Sequence, residues 1–169
     1  YMIYQVGALQ ACCDSYGITL QHMKLHGAFY NTACVTPALA DAVLDGLQAV
    51  NPNIAAMVLS GSYIAKEAER RGIPVIQEVF ADRAYTDEGT LVPRTEPGAF
   101  IKDAQEALER VLMMVTEGKV VTNTGNTIDI VADSVCVHGD NPEAIAFTNY
   151  IREGLTKAGV TVANFQNRK

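Results

Sequence analysis

The sequence lacks the features that mark several broad classes of protein. No apolar run reaches about 18 residues, so we expect no membrane-spanning helix and no membrane partner. No basic segment followed by an apolar stretch opens the chain, and no secretory signal is therefore predicted. Basic residues are also few, because 13 Lys and Arg stand against 19 Asp and Glu, a formal charge of −6. Since affinity for a phosphate backbone comes from clustered Lys and Arg, we expect no nucleic-acid partner.

Cysteine usage points to a reducing environment. The chain has four cysteines and no CxxC pair. Cys12 and Cys13 are adjacent, and neighbouring side chains on a helix diverge too far for a disulfide or a zinc site. We therefore predict reduced, core-filling thiols and a cytoplasmic protein.

Several motifs that hold nucleotides or catalytic groups are also missing. The sequence has no GxxxxGK(S/T) phosphate loop, no GxGxxG fingerprint, no GxSxG elbow and no HExxH pair. Nucleotide chemistry therefore has no recognisable site within the chain.

What the sequence does have is an alternation of strands and helices. Such alternation favours a parallel sheet with right-handed crossovers. The run from Ala55 to Leu59 is apolar on both faces, as the strands of a covered parallel sheet are. Helices are predicted at 1–16, from Thr36-Pro37 to 50, from Ser62 to Gly72, at 103–117 and from Asn141-Pro142 to 158; strands are predicted at 18–24, 54–59, 73–80, 134–137 and 160–163, with a small hairpin between 120 and 131.

The number of strand–helix units is too low for a closed barrel. About five or six units are visible, whereas the usual eight occupy about 250 residues. The chain also begins inside a predicted helix without an initiator Met. We therefore expect residues 1–169 to form a single domain, the C-terminal two-thirds of an α/β barrel whose N-terminal part is missing, with 164–169 as a frayed tail.

Polar side chains gather where the predicted strands end. A long loop without periodicity, 81–98, also adds Arg94, and ordered loops beyond about 12–15 residues usually act as lids or binding loops. Because working residues in α/β folds lie at the carboxyl ends of the strands, we expect these side chains to share one small-molecule pocket. Lys24, His26, Tyr30 and Asn31 follow the first strand, Glu78, Asp82 and Arg83 lie at the end of the third, and His138 and Asp140 follow the fourth.

These residues also have structural interpretations. His26 could be a loop histidine bonded to backbone, and His138 and Asp140 could serve the start of the following helix. Lys24 must reach a partner or an anionic ligand, since burying it alone is costly. The imidazoles and carboxylates could instead hold a divalent metal, although their spacing is not diagnostic: His26, Glu78, Asp82, His138 and Asp140.

Three blocks, "HMKLHGAFYN", "EVFADRAYTDEGTLVPR" and "VCVHGDNPEA", resemble the LamB/YcsF family, the A subunits of bacterial 5-oxoprolinase. The resemblance covers essentially the whole chain. It implies a parallel (β/α) barrel of the glycoside hydrolase/deacetylase type, incomplete here. It also implies ATP-dependent opening of a small-molecule lactam, 5-oxoproline, to L-glutamate in complex with subunits B and C. The chain departs from the family at Leu25, where Pro is usual, and in lacking N-terminal blocks such as "DLNCDxGE".

The resemblance and the chemistry of a lactam together lead to expected roles. His26 and His138 would act as acid and base, with Asp140 or Glu78 orienting one imidazole. The substrate-binding candidates are Arg83 or Lys24 for a carboxylate, Tyr30 and Asn31 as donors to the lactam, and Asp82 and Arg94.

The missing phosphate loop suggests that ATP is bound by a partner or at a shared site. A divalent metal and a homo-oligomer also remain open. Two alternatives also remain open. One is a metal-dependent carbohydrate deacetylase that works without ATP or partner subunits. The other is a non-catalytic scaffold subunit.

Overall fold

The computed structural model describes residues 1–139 and 144–165. Contacts divide the chain into two compact units, Tyr1–Glu78 and Val79–Lys169. The first unit contains α1 (Met2–Ser15), β1 (His22–Lys24), α2 (Gly27–Val35), α3 (Pro37–Val50), β2 (Ala55–Leu59), α4 (Tyr63–Arg70) and the first part of β3 (Val75–Phe80). The second contains the end of β3, α5 (Ala104–Glu117), β4 (Lys119–Val121), β5 (Thr127–Asp129), β6 (Ser134–Cys136) and α6 (Ala144–Lys157).

The sheet of the first unit is parallel, as the alternation of strands and helices predicts. β2 lies between β1 and β3, with Lys24 opposite Met57 and Leu59 opposite Glu78. Both faces of β2 are covered, since the adjacent residues Ala55 and Ala56, whose side chains point to opposite faces, are both buried. The register therefore brings the carboxyl ends of β1, β2 and β3 to one edge of this sheet.

Helix α2 is the main element that the sequence did not indicate. The predicted helix began near Thr36, but the structure adds a separate helix, Gly27–Val35, before it. Its N-cap residue, His26, makes no side-chain capping hydrogen bond, so the usual Ser, Thr, Asp or Asn signal is absent. Gly27 begins the helix at a φ of 62°, a conformation that glycine adopts without strain. The consequence is that Tyr30 lies on a helix and turns into the core.

The helix ends with local signals are placed as predicted. The Ser62 side chain accepts a hydrogen bond from the Ala65 N–H, and Asp103 accepts one from the Glu106 N–H. Gly118 ends α5 in the left-handed conformation. The hairpin of β4 and β5 is also confirmed. These features depend on neighbouring residues alone, which is why the sequence shows them.

Two predicted strands differ from the structure. The first is shortened to His22–Lys24. The strand predicted at 160–163 is wrong, because no strand forms there and the Val160 N–H instead donates to the Leu155 carbonyl at the end of α6. The cap predicted at Asn141-Pro142 and residues 166–169 of the predicted tail lie outside the described residues.

Arg71 joins α4 to α3 through three carboxylates. Its guanidinium donates to Glu67 on its own helix and to Asp41 and Asp45 on α3, at 2.6–2.7 Å. Hydrogen bonds from Arg70, and then from Arg71, lower the pKa of Glu67 to about 2. The pairing of Glu67 with Arg71 is thus one part of a larger network.

Within the described residues, no single helix combines the length and apolar composition needed to cross a membrane. Helices α2 and α3 meet those criteria only when taken together, and a bend of 112° separates them.

In the second unit, β6 lies beside the end of β3, and the Ala81 N–H donates to the Cys136 carbonyl at 3.1 Å. The long loop that follows β3 has no helix, but it is ordered around a small apolar cluster of Ala84, Val92 and Ala99, against which Ile101 packs. Backbone hydrogen bonds join the two sides of the loop, from Ala84 to Ala99 and from Val92 to Ala84.

Asp87, near the tip of this loop, binds the turn between β4 and β5. Its carboxylate accepts hydrogen bonds from the Thr122 and Thr124 hydroxyls at 2.5 and 2.7 Å, and from the Asn126 amide at 3.0 Å. The hydrogen bonds from these donors hold the pKa of Asp87 below its ordinary value, and the bond from Thr122 has the largest effect. The ionised carboxylate therefore stabilises the contact between the loop and the hairpin.

This geometry predicts a pH-dependent contribution to stability. Because the pKa of Asp87 is lower in the folded state than in the unfolded state, its contribution is present above about pH 4 and is lost as the pH falls further. Asp87→Asn should therefore lower the free energy of unfolding at neutral pH, and the difference from the unsubstituted chain should shrink towards about pH 3. Denaturant unfolding across this range measures the effect. Asp129→Asn, at an exposed position on β5, is the control, and an equal or pH-independent loss in both variants would contradict the assignment.

A second prediction concerns the packing of α1 on α3. A Cβ at Gly46 would lie 2.9 Å from the Met2 Cβ, whereas a Cβ at Gly7 would find Val50 Cγ2 at 4.0 Å as its nearest neighbour. Gly46→Ala should lower the free energy of unfolding by about 1–3 kcal/mol through overpacking. Gly7→Ala should raise it by up to about 1 kcal/mol, since alanine favours a helix. Denaturant unfolding of both variants checks the contrast, and a stabilising Gly46→Ala would refute the close approach.

Candidate functional site

The first unit collects a charged group at the carboxyl edge of its sheet. The Glu78 carboxylate is 2% exposed and accepts hydrogen bonds from the Lys24 ammonium and from the Tyr30 hydroxyl, the latter at 2.9 Å. The Lys24 ammonium also lies 5.8 Å from the centre of the Tyr30 ring. β1 supplies Lys24, β3 supplies Glu78, and α2 supplies Tyr30.

This group satisfies a buried carboxylate with one donor on each oxygen. The Lys24 side chain is 18% exposed, whereas that of Glu78 is 2% exposed. The sequence predicted that Lys24 must pair with an acidic partner or bind an anionic ligand, and Glu78 is such a partner. Glu78 was predicted to orient an imidazole, but in this unit both of its oxygens are held by Lys24 and Tyr30. Lys24 and Tyr30 as substrate ligands, and Glu78 as a catalytic residue, stay predictions.

Cys34 lies in the core close to this group and is 4% exposed. Burial raises the pKa of the Cys34 thiol to about 11, against the opposing effects of hydrogen bonds involving Leu59 and Ser62. The residue is therefore a neutral thiol and a packing residue. Cys12 is exposed and Cys13 and Cys136 are half-buried, so these three cysteines do not fill the core as predicted.

The second unit contains a chain of three polar side chains. Asp82 Oδ2 lies 2.6 Å from His138 Nδ1, and Arg94 Nη2 lies 3.1 Å from His138 Nε2. The Phe80 ring stacks on the imidazole with centroids 5.8 Å apart and an interplanar angle of 24°. Asp82 follows β3 and His138 follows β6, so adjacent strand ends position the pair.

The hydrogen-bond partners determine the protonation of the imidazole. Arginine can only donate, so Nε2 of His138 accepts from Arg94. The proton of the neutral ring then lies on Nδ1 and is donated to the Asp82 carboxylate. This is the tautomer that presents a basic lone pair at Nε2, with a carboxylate placed to stabilise the charged ring after protonation.

Asp82 also carries an unsatisfied atom. Its Oδ1 is buried and has no hydrogen-bond partner among the described residues. A buried carboxylate oxygen without a donor is costly, so Oδ1 is available to a donor from a ligand or water.

His138 has a carboxylate partner that the sequence analysis did not assign to it. Asp140 or Glu78 was predicted to hold an imidazole, and Asp82 to bind substrate. The structure instead gives His138 the carboxylate of Asp82 as its partner. Asp140 lies outside the described residues. His138 as the base stays a prediction, now with its tautomer defined.

Arg83 is turned into the loop that carries it. Its guanidinium is buried and donates to the carbonyls of Ala99 at 3.2 Å and Val92 at 2.5 Å. Burial, and then the nearby charge of Arg94, lowers the pKa of Arg83. These contacts favour a structural role over the predicted binding of a substrate carboxylate.

Arg94 is placed differently from Arg83. It is exposed, and its guanidinium carbon lies 5.4 Å from the centre of the Phe100 ring. Arg83 lies 5.1 Å from the centre of the same ring, so Phe100 supports both cations. The sequence did not indicate Phe80 or Phe100 as part of the site. An aromatic residue that stacks on a polar side chain has the same local sequence pattern as an aromatic residue in the core.

His26 is the N-cap residue of α2, and Asn31 lies in the middle of that helix. His26 is exposed and makes no capping hydrogen bond to the helix. Asn31 is exposed, and its amide reaches only the Gly27 carbonyl at 3.5 Å. Their predicted roles as acid–base and substrate residues stay predictions.

The described residues do not fit a metal site. Across 1–139 and 144–165, no group of three or more His, Cys, Asp or Glu side chains is arranged to hold a metal ion.

Comparisons with known proteins agree along the whole chain. The model of the LamB/YcsF family matches residues 1–169. The A subunit of 5-oxoprolinase from Fusobacterium nucleatum is 56% identical over 162 residues, which cover 96% of this chain and 63% of that protein. The A subunit of 5-oxoprolinase from Pyrococcus horikoshii is 46% identical over 162 residues, with 96% and 64% covered.

A solved structure is also similar. The crystal structure of the lactam utilization protein from Thermus thermophilus matches with a TM-score of 0.85 and 40% identity, over 95% of this chain and 64% of that one. The predicted α/β class is thereby confirmed, and so is its incompleteness here, since the chain spans about two-thirds of the protein it matches.

The chain also spans only 63–64% of the curated relatives described above, so their names describe longer proteins. Because the family match extends over all 169 residues, the chain belongs to the LamB/YcsF family.

Proposed function

We propose that this chain is part of the A subunit of an ATP-dependent 5-oxoprolinase, which hydrolyses 5-oxo-L-proline to L-glutamate. Membership of the LamB/YcsF family and the names of the relatives support the reaction class. The observation that carries the chemistry is the pair of Asp82 and His138, which presents a basic nitrogen at the end of a strand.

The reaction explains the need for ATP. A lactam carbonyl is stabilised by its nitrogen and reacts slowly with water. Transfer of a phosphoryl group from ATP to the amide oxygen leaves ADP and makes the ring carbon electrophilic. Attack by water then gives a tetrahedral adduct, and expulsion of the ring nitrogen breaks the carbon–nitrogen bond to give the free amine and an acyl phosphate. A second water hydrolyses the acyl phosphate to phosphate and the carboxylate of glutamate.

In this scheme, His138 handles the proton. Nε2 removes a proton from the attacking water, and the Asp82 carboxylate stabilises the imidazolium that forms. The same Nε2–H then protonates the departing nitrogen of the opened ring. Asp82 acts through His138 and is a positioning residue, whereas His138 is the catalytic residue.

ATP binding is assigned to partner subunits, named B and C in the resemblance, or to a site shared with them. The support is the absence of a phosphate-binding loop from the sequence. A cytoplasmic location belongs to the same proposal, since ATP and free thiols are both found there. Within the described residues, nothing specifically favours the deacetylase or scaffold alternatives.

The proposal predicts the effect of two substitutions in the full-length protein, assayed with its partner subunits and ATP. His138→Ala should lower kcat for glutamate release by about 100- to 10,000-fold, since it removes the acid–base group. Asp82→Asn should also lower kcat with little change in KM, because the amide no longer holds the ring in the required tautomer.

His22→Gln is the matched control. His22 lies on β1, where its ring is hydrogen-bonded to the neighbouring Gln21. The control should retain a normal kcat, and circular dichroism should show that all three variants fold. Near-normal turnover in a folded His138→Ala variant would remove this residue from the mechanism and, with it, the main support for the proposal.

A further inference from the structure

The contact between Arg94 and His138 carries an inference about substrate recognition. We propose that Arg94 binds the carboxylate of an acidic lactam and, by moving onto it, releases Nε2 of His138 to act as the base. The inference rests on the function proposed above and extends it, because it names the group that selects the substrate.

The loop holds Arg94 in a defined place. Arg83 fixes the loop from within, through its hydrogen bonds to the carbonyls of Val92 and Ala99. Arg94 follows only two residues after Val92 of the apolar cluster, but it is exposed, and its guanidinium carbon lies 5.4 Å from the centre of the Phe100 ring. The backbone is therefore ordered on both sides of a side chain that is itself exposed, which suits a residue that must change partners.

The Arg94 guanidinium has more N–H donors than its contact with His138 uses. A guanidinium carries five N–H groups in a planar fork, and the contact with His138 uses one of them. Among the described residues, no carboxylate forms a salt bridge with Arg94. An exposed guanidinium stacked on an aromatic ring and beside a strand-end histidine has the geometry that binds a carboxylate with two parallel hydrogen bonds.

The present contact is incompatible with base catalysis by His138. The lone pair on Nε2 must accept a proton from water, but it is occupied by the N–H of Arg94. A charged, two-pronged bond to a carboxylate is stronger than a single bond to a neutral imidazole. A bound carboxylate therefore draws Arg94 away and exposes the base only when the correct substrate is present.

Arg83 cannot serve this purpose in its place. Both of its described hydrogen bonds go to backbone carbonyls of the apolar cluster, and a move onto a substrate would break them. Arg83 supports Phe100 from within the loop, and Phe100 in turn supports Arg94. Both arginines therefore lie near the Phe100 ring, but Arg83 stabilises the loop and Arg94 is placed to bind substrate.

The test compares two ligands that differ only in the carboxylate: 5-oxo-L-proline and pyrrolidin-2-one. The variant is Arg94→Met in the full-length protein with its partner subunits, and Arg94→Lys keeps the charge without the fork. Arg152→Met, at an exposed position on α6, is the matched control. Calorimetry measures binding of both ligands, and steady-state assays with ATP measure KM and kcat for 5-oxoproline.

Arg94→Met should weaken the binding of 5-oxoproline and raise its KM by about 10- to 100-fold, as expected for loss of charged hydrogen bonds. Binding of pyrrolidin-2-one should not change. Arg94→Lys should recover part of the loss, and Arg152→Met should behave as the unsubstituted protein. An equal effect on both ligands, or no effect on either, would overturn the inference.

An independent readout follows the base itself. Acylation of His138 by diethyl pyrocarbonate, located by mass spectrometry, requires an available ring nitrogen. It should be several-fold faster in Arg94→Met than in Arg152→Met, because Nε2 is no longer covered; an unchanged rate would count against the inference.

These outcomes separate the inference from the proposed function. Loss of turnover in His138→Ala, together with unchanged 5-oxoproline binding in Arg94→Met, would refute the inference and leave the function standing. Arg94-dependent binding of 5-oxoproline, together with normal turnover in His138→Ala, would support the recognition of the carboxylate. It would refute the chemistry assigned to His138 and, with it, the release of that residue by Arg94.

Discussion

Charge that is buried at the end of a strand must find a partner, because removing it from water unpaired costs several kcal/mol. In the first unit, this constraint joins Glu78 to Lys24 and Tyr30, and so ties β3 to β1 and α2. In the second unit, it places the carboxylate of Asp82 against His138. The same requirement that stabilises each unit therefore defines the chemistry available at its strand ends. An ion pair or hydrogen bond that offsets the free energy of desolvation also holds the side chain in one orientation. A catalytic group needs such a fixed orientation.

Much of the architecture can be predicted from the sequence because its signals are local. The alternation of apolar strands and amphipathic helices gives the α/β class, and side chains such as Ser62 and Asp103 mark helix starts within one turn. Helix α2 escaped prediction because it begins without a capping side chain. The partner of His138 escaped for a different reason. Asp82 lies 56 positions away in the sequence, and no local pattern distinguishes it from other carboxylates at strand ends.

The two arginines of the long loop also show that the sequence alone does not distinguish the roles of two residues of the same type. Arg83 and Arg94 belong to one segment of the family resemblance, and both were reasonable ligands for a carboxylate. Only the contacts separate them, since one is bonded to backbone carbonyls inside the loop and the other is exposed beside His138. The loop is therefore an ordered support for one exposed cation, and its length reflects the apolar cluster that holds it.

The tautomer of His138 is the property on which the account depends most directly. Long-range ¹H–¹⁵N NMR of the neutral ring, in protein labelled at histidine, distinguishes a proton on Nδ1 from one on Nε2. The hydrogen bonds to Asp82 and Arg94 predict a proton on Nδ1 and an unprotonated Nε2 that accepts from Arg94. A ring protonated at Nε2 would contradict the account, because no basic lone pair would then face the exposed side of the loop.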